Sequence, residues 1–180
     1  CRNCNKKLKN TFLDLGKCPP SNSLIKNEKE KKREKKFQLL TYVCNNCWLV
    51  QTKDVASKKI FFNNHYPYFS STSSLWLQHA KNYVTKITNK LKLNKKSLVI
   101  ELASNDGYLL QYFKMKKIPC LGIEPSKNTS KIAKKKGIKS LDKFFSYDLA
   151  KKIKNKADLI IGNNIYAHVP NLNDFTKGIK

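Results

Sequence analysis

Residues 98 to 110, LVIELASNDGYLL, taken with GIEP at residues 122 to 125, constrain the fold of this chain more than any other stretch. A β-branched apolar run ends in an acid, Glu101. A polar turn carrying Gly107 follows, then a helix-forming segment. About a strand and a helix later, a second short apolar run ends in another acid, Glu124. This is the layout of the first βαβ unit of a nucleotide-type α/β fold. The turn lets backbone approach a ligand, and the acid after the second strand accepts hydrogen bonds from ribose hydroxyls. A buried strand with an ordinary turn would also give the apolar run, but it would not require acids at both strand ends.

The turn departs from G-x-G-x-x-G. Ala103 and Asn105 stand where the first two glycines would be, and only Gly107 remains. Backbone carrying side chains approaches a pyrophosphate poorly, so a nicotinamide dinucleotide is disfavoured. A ligand with a ribose and no phosphates fits better, and S-adenosylmethionine is the common one. Glu101 with Ala103, Ser104, Asn105, Asp106 and Gly107 is expected to face its methionine end, and Glu124 with Pro125 its ribose.

Strands and helices alternate through this half. Strands are expected at 98–102, 120–124, weakly at 138–141, and at 158–162. Helices are expected at 108–117, 126–136 and 147–155, the last capped by Ser146. Such alternation implies a mostly parallel sheet with helices on both faces and ligands at the carboxyl ends of the strands. Asn163 and Asn164, which close the fourth strand, belong to that edge. Upstream, Trp76, Ala80, Tyr83, Val84, Ile87 and Leu91 recur at helical spacing, with Ser74 as the expected cap. Residues 61 to 74, FFNNHYPYFSSTSS, have no clean period and read as an aromatic linker. Tyr66, Tyr68, Ser70 and Ser71 are its candidates for contact with a polar substrate; aromatics packing a domain junction are the alternative.

Cys1-Arg2-Asn3-Cys4 and Cys44-Asn45-Asn46-Cys47 are two C-x-x-C knuckles. Four thiolates at this local spacing can close a tetrahedron on Zn²⁺. A redox C-x-x-C needs only one pair, set before a helix. Here both pairs lie beside short β-like runs, at 11–15, 37–43 and 48–51, so structural zinc is the favoured reading. The charge run KNEKEKKREKK, 26 to 36, reads as a solvated excursion within this module. Cys18, in a loop beside Pro19, and Cys120, in an apolar strand, read as small hydrophobes.

The formal net charge is +25, from 37 Lys and Arg against 12 acids. Charge of this sign points to a polyanion. Yet only Arg2 and Arg33 are Arg, the residue that forks onto phosphates and base edges. The scattered Lys accompany many Asn and Ile, as AT-rich coding would produce. Nucleic acid is therefore disfavoured as a partner, and an anionic small substrate suits the surface as well. No apolar run approaches the roughly 20 residues that span a bilayer. Reduced C-x-x-C pairs without a visible signal peptide point to the cytoplasm.

In these residues the chain resembles the S-adenosylmethionine-dependent nucleotide-sugar C-methyltransferases. The matching pieces are Cys1-x-x-Cys4, Asp14-Leu15-Gly16, Cys44-x-x-Cys47, Tyr68-Phe69-Ser70-Ser71, the helix with Trp76 and His79, Glu101-x-Ala-Ser-Asn-Asp-Gly107, Gly122-Ile-Glu-Pro125, and Gly162-Asn-Asn164 with His168-Val-Pro170. The resemblance implies a zinc module (1–60), a linker and connecting helix (61–96), and the first part of a Rossmann-like class I methyltransferase domain (97–180). It implies Zn²⁺ on Cys1, Cys4, Cys44 and Cys47, S-adenosylmethionine as cofactor, and methylation of a carbon beside a keto group on a nucleotide-linked deoxysugar. A base removes the proton from that carbon, and nearby donors stabilise the enolate oxygen. His168 is the candidate donor; His65 and His79 are the other histidines. The family takes its base from a Tyr-x-Glu-His segment absent from these residues, so the chain reads as a fragment inactive alone. The alternatives are a zinc-ribbon nucleic-acid-binding protein and an RNA-directed methyltransferase. The latter is weakened because Asn163-Asn164-Ile165-Tyr166 lacks the prolines of an Asn-Pro-Pro-Tyr motif.

Overall fold

The computed structural model describes residues 1–55, 57–62 and 66–180. They divide into two compact units, one of residues 1–62 with 170–173, the other of 63–169 with 174–180.

The first unit is built on a three-stranded antiparallel sheet, β1 (Asn10–Cys18), β2 (Phe37–Val43) and β3 (Val50–Thr52), in that order. The β1–β2 register slips between Asp14 and Lys17, where Gly16 takes φ +71°. Asp14 Oδ1 fixes this bulge by accepting from the Gly16 N–H at 2.8 Å and from Gln38 Nε2 at 2.6 Å. The bulge hides the second half of the strand from a period-two reading, which stops at residue 15; Cys18 ends β1 opposite Phe37 instead of lying in a loop. The charge run supplies α1 (Glu28–Lys32), capped by Asn27 and without a buried residue. Helix α2 (Lys58–Phe61) follows β3.

The second unit begins its helices with α3 (Ser74–Leu91). Ser73, one residue before the expected cap, accepts from the Trp76 N–H. Helix α3 buries Ala80, Val84 and Thr88, while Leu91 at its end is exposed. The expected alternation then appears as β4 (Val99–Leu102), α4 (Leu110–Met115), β5 (Cys120–Ile123), α5 (Lys127–Lys135), β6 (Lys139–Leu141), α6 (Tyr147–Lys152) and β7 (Leu159–Ile161), followed by α7 (Leu172–Ile179). The strands are parallel in the order β6-β5-β4-β7. The chain thus moves outward from β4 on one side and returns to its other side, as in half of a doubly wound sheet. This is the Rossmann-like sheet expected of the sequence, with a small β-rich cysteine module before it.

Strand β4 shows why the sheet is double-faced. Val99 joins Ala80, Val84, Phe113, Ala133 and Ile138 on one face. Ile100 and Leu102 join Ile123, Leu149 and Phe175 on the other. Glu101 shares the Val99 face by the alternation of strand side chains, so an acid is placed under α3 and α4.

Candidate functional site

The two C-x-x-C pairs fold into matching knuckles. Asn5 N–H donates to the Cys1 carbonyl at 3.0 Å, and Trp48 N–H to the Cys44 carbonyl at 2.9 Å. Asn5 and Trp48 both take left-handed backbone, φ +60° and +61°. The Cys1 amine donates to Lys6 O at 2.7 Å, and the Cys44 amide to Leu49 O at 3.1 Å. Each turn therefore offers its two sulfurs to the same side. Cys1 and Cys47 Sγ lie 3.6 Å apart, Cys4 and Cys44 Sγ 3.5 Å, and the four ligand atoms all fall within 4.8 Å of one another. Four sulfurs at about 2.3 Å from a tetrahedral zinc would be about 3.8 Å apart. The spacing fits zinc, and it is far too long for disulfides of about 2.05 Å. Backbone N–H groups of Asn46 and Cys47 lower the Cys44 thiol to about 7, so the thiolate is prepared for a cation.

Sequence reasoning missed Gln51. Its Nε2 donates to Cys1 Sγ at 3.2 Å, while its Oε1 accepts from the Arg2 N–H at 3.0 Å. Buried in β3, it orients one thiolate from outside the ligand set. Between Val50 and Thr52 it reads from sequence as an ordinary polar strand residue.

In the second unit the predicted cofactor residues gather at the carboxyl ends of β4, β5 and β7. The turn after β4 keeps glycine-like backbone without the glycines: Ala103, Asn105 and Gly107 have φ of +56°, +50° and +75°. Left-handed backbone costs a residue with a Cβ about 1–2 kcal/mol, least for Asn. Gly107 has no alternative, because a Cβ there would meet Ile138 Cδ1 at 2.5 Å. The turn presses so closely on β5 that a Cβ at Gly122 would meet Ser104 Oγ at 2.4 Å.

Glu124, nearly inaccessible, accepts from the Asn105 N–H at 2.9 Å and the Ser126 N–H at 2.8 Å. Burial raises its pKa and these amides oppose the rise. Each of its oxygens takes one of these N–H bonds and keeps a further lone pair. Pro125 turns the chain from Glu124 into α5. Glu101 differs. It is fully buried and neither oxygen has a hydrogen bond of ordinary geometry. Burial holds its carboxyl well above the usual range, the neighbouring Tyr108 hydroxyl offsets part of the rise, and Glu124 and Asp106 add to it. Burial and Glu101 in turn keep Tyr108 protonated. Asn163 Nδ2 donates to the Tyr108 hydroxyl at 3.0 Å, and Tyr108 stacks on Trp76 at 5.9 Å. Asn164 is exposed with φ +55°.

A fully buried acid beside a turn that is left-handed at three positions, with a second acid on the turn's amide, fits a ligand that pairs a cationic amine with a ribose. S-adenosylmethionine carries both.

The linker residues 66–71 lie on this turn. Tyr66 is half-buried, its phenol pushed up by burial and by Glu124, and its carbonyl accepts from Asn128. Tyr68 is exposed. The Ser70 and Ser71 amides are directed to Asn105 and Asp106. His168 is exposed in a 3-10 turn (Tyr166–His168) beyond β7. His79 stacks on Trp76 at 5.1 Å, and His65 lies outside the described residues. Asp142, at the carboxyl end of β6, was not singled out from sequence; Ser130 and Lys134 hold it, and Lys134 keeps its pKa low against burial.

This arrangement defines a zinc-knuckle module joined to a nucleoside-type parallel sheet. Residues 1–62 match a family model described as "Putative zinc binding domain". The chain is similar to the C-methyltransferase NovU of Streptomyces niveus, 26% identical over 182 residues, which cover 99% of this chain and 43% of that protein. The chain therefore spans less than half the length of this curated relative. A solved structure, a SAM dependent methyltransferase from Archaeoglobus fulgidus, aligns over 57% of this chain and 48% of its own, with 15% identity and a TM-score of 0.45. The module and the relative support the resemblance to C-methyltransferases with an N-terminal zinc domain. Among the described residues no helix is long and apolar enough to cross a membrane.

Proposed function

We propose that this chain binds S-adenosylmethionine at the carboxyl edge of the β4–β5 pair and belongs to an enzyme that methylates a carbon beside the keto group of a nucleotide-linked deoxysugar. The observation that carries the cofactor is Glu101, a fully buried acid whose oxygens make no hydrogen bond of ordinary geometry, set beneath a left-handed turn whose amide reaches a second acid, Glu124. In this reading Glu101 and residues 103–107 hold the methionine end, Glu124 and Pro125 the ribose, and Asn163 and Asn164 flank the opening beside β7. When bound, the cofactor supplies a methyl group made electrophilic by its sulfonium. Tyr66 and Tyr68 line the substrate side. His168, exposed beyond β7, is the candidate donor to the oxygen on which charge develops. The similarity to NovU over nearly the whole chain supports carbon as the acceptor, and the net charge of +25 suits an anionic nucleotide-sugar. A cytoplasmic setting follows from thiols that must stay reduced to hold zinc.

Calorimetry tests the cofactor. Glu124→Ala should weaken S-adenosylmethionine by about 1.5–3 kcal/mol, roughly ten- to a hundredfold in Kd. Unchanged affinity would remove Glu124 from the ribose. Glu101 adds a proton signature. Its raised pKa means that the folded chain holds a proton the unfolded chain has lost above about 4.5, so stability falls as pH rises through that window. A bound cation reverses the shift and releases the proton. Binding heats should therefore depend on the ionisation enthalpy of the buffer, and Glu101→Gln should abolish both that dependence and the stability slope.

A further inference from the structure

We propose that Asn105 is a positioning residue that ties the cofactor turn to the substrate-side segment 68–71, so that the two respond to cofactor as one unit. This rests on the cofactor reading above. Asn105 sits at φ +50°, where glycine would be free of strain, yet both ends of its side-chain amide are bonded. Oδ1 accepts from the Ser70 N–H at 2.9 Å, and Nδ2 donates to the Tyr68 carbonyl at 3.1 Å. One amide thus grips a donor and an acceptor two residues apart on the same strand of chain, which also fixes which end of the amide is oxygen. Asp106 extends the grip. Its Oδ2 accepts from the Ser71 N–H at 3.3 Å and from the Ser71 hydroxyl. Lys136 Nζ donates to the Asp106 carbonyl at 2.9 Å and stands 3.7 Å from its carboxylate.

The backbone of Asn105 points elsewhere. Its N–H donates to Glu124, the acid assigned to the ribose. A single residue therefore faces the cofactor acid with its amide and the segment carrying Tyr68 with its side chain. A ligand that tightens the turn also tightens Tyr68 to Ser71, and by linkage whatever orders that segment strengthens the ligand equally. Ser70 and Ser71 serve this link through their amides and the Ser71 hydroxyl, and Tyr68 is left exposed to meet the second substrate. The device also accounts for the departure from a glycine-rich turn: the side chain that glycine lacks is the connecting part.

Asn105→Gly separates the link from the fold, because glycine accepts φ +50° and keeps the N–H to Glu124. The zinc-loaded 180-residue chain is compared with Asn105→Gly and Ser71→Ala by NMR-detected amide exchange, with and without S-adenosylmethionine. Calorimetry records binding in parallel. In the parent chain, saturating S-adenosylmethionine should slow exchange at Ser70 and Ser71 at least fivefold. In Asn105→Gly both amides should exchange about tenfold faster without ligand, and at S-adenosylmethionine concentrations that calorimetry shows to saturate the variant the ligand-induced slowing should vanish. Ser71→Ala should lose the slowing at Ser71 more than at Ser70. Equal exchange in the parent and Asn105→Gly, or binding without slowing in the parent, overturns the link. If the parent shows no binding at all, the cofactor reading fails. The ligand-free comparison then decides the link by itself, with faster exchange in Asn105→Gly supporting it and equal exchange overturning it.

Discussion

The two units solve the same problem of holding a sheet together by different means. Among the described residues, Cys44 is the only buried apolar side chain contributed by residues 1–62. Phe12, Leu13, Leu15, Leu24, Trp48 and Val50 of that unit are exposed, Trp48 by 74% and Phe12 by 67%. The second unit packs both faces of its sheet, with Val84, Val99, Phe113 and Leu110 at or near zero exposure. A sheet of three strands with one mostly bare surface has little hydrophobic free energy to set against chain entropy. Four thiols 3.5–3.6 Å apart in pairs supply what the core does not. Zinc on these thiols would supply the first unit with what the second draws from its own core.

Metal removal breaks the comparison most directly. Structural zinc in small domains contributes about 10–16 kcal/mol. Chelation, or Cys44→Ser, should abolish protection of the β1–β3 amides and leave the β4–β7 amides protected, with bound zinc falling from about one per chain. Loss of both sheets together, or of neither, would show that the units do not divide their stabilisation in this way. The converse experiment is Phe113→Ala, which empties the centre of the larger core and should cost about 3–5 kcal/mol. Its effect should appear in β4 and β5 exchange, while zinc content stays at the parent value.

How far the sequence disclosed these features follows the range over which each is encoded. The parallel strands, the acids at their ends and the paired knuckles are local patterns, and they were legible. The knuckles share even their hydrogen bonds, because each is decided within six residues of chain. Strand β1 reads short from the sequence, since the Gly16 bulge resets the alternation. The cap of α3 fell on Ser73 instead of Ser74 in a run where any of several hydroxyls would serve. Segment 66–71 was legible as polar and aromatic, but its attachment was not: Ser70 meets Asn105 across 35 positions with no periodicity to announce it. Asn105 itself could be recognised only as a missing glycine.

Gln51 is the smaller, sharper test of the division between units. It is nearly closed to solvent and bonded at both ends, 3.2 Å to Cys1 Sγ and 3.0 Å to the Arg2 amide. A residue outside the ligand set that orients a ligand changes metal affinity about 10–100-fold when removed. Gln51→Leu keeps the volume and the strand position, so competition with a chromophoric chelator should report that loss as weaker zinc without loss of stoichiometry at saturating metal. The same substitution should leave the Cys4–Cys44 half untouched, because no bond from Gln51 reaches it among the described residues. Cobalt exchanged into the site should then show a thiolate spectrum perturbed in one ligand and not rebuilt in all four. Unchanged affinity in Gln51→Leu would mean that the knuckle turns alone fix the thiols, and that the first unit rests on its metal with no help from its strands.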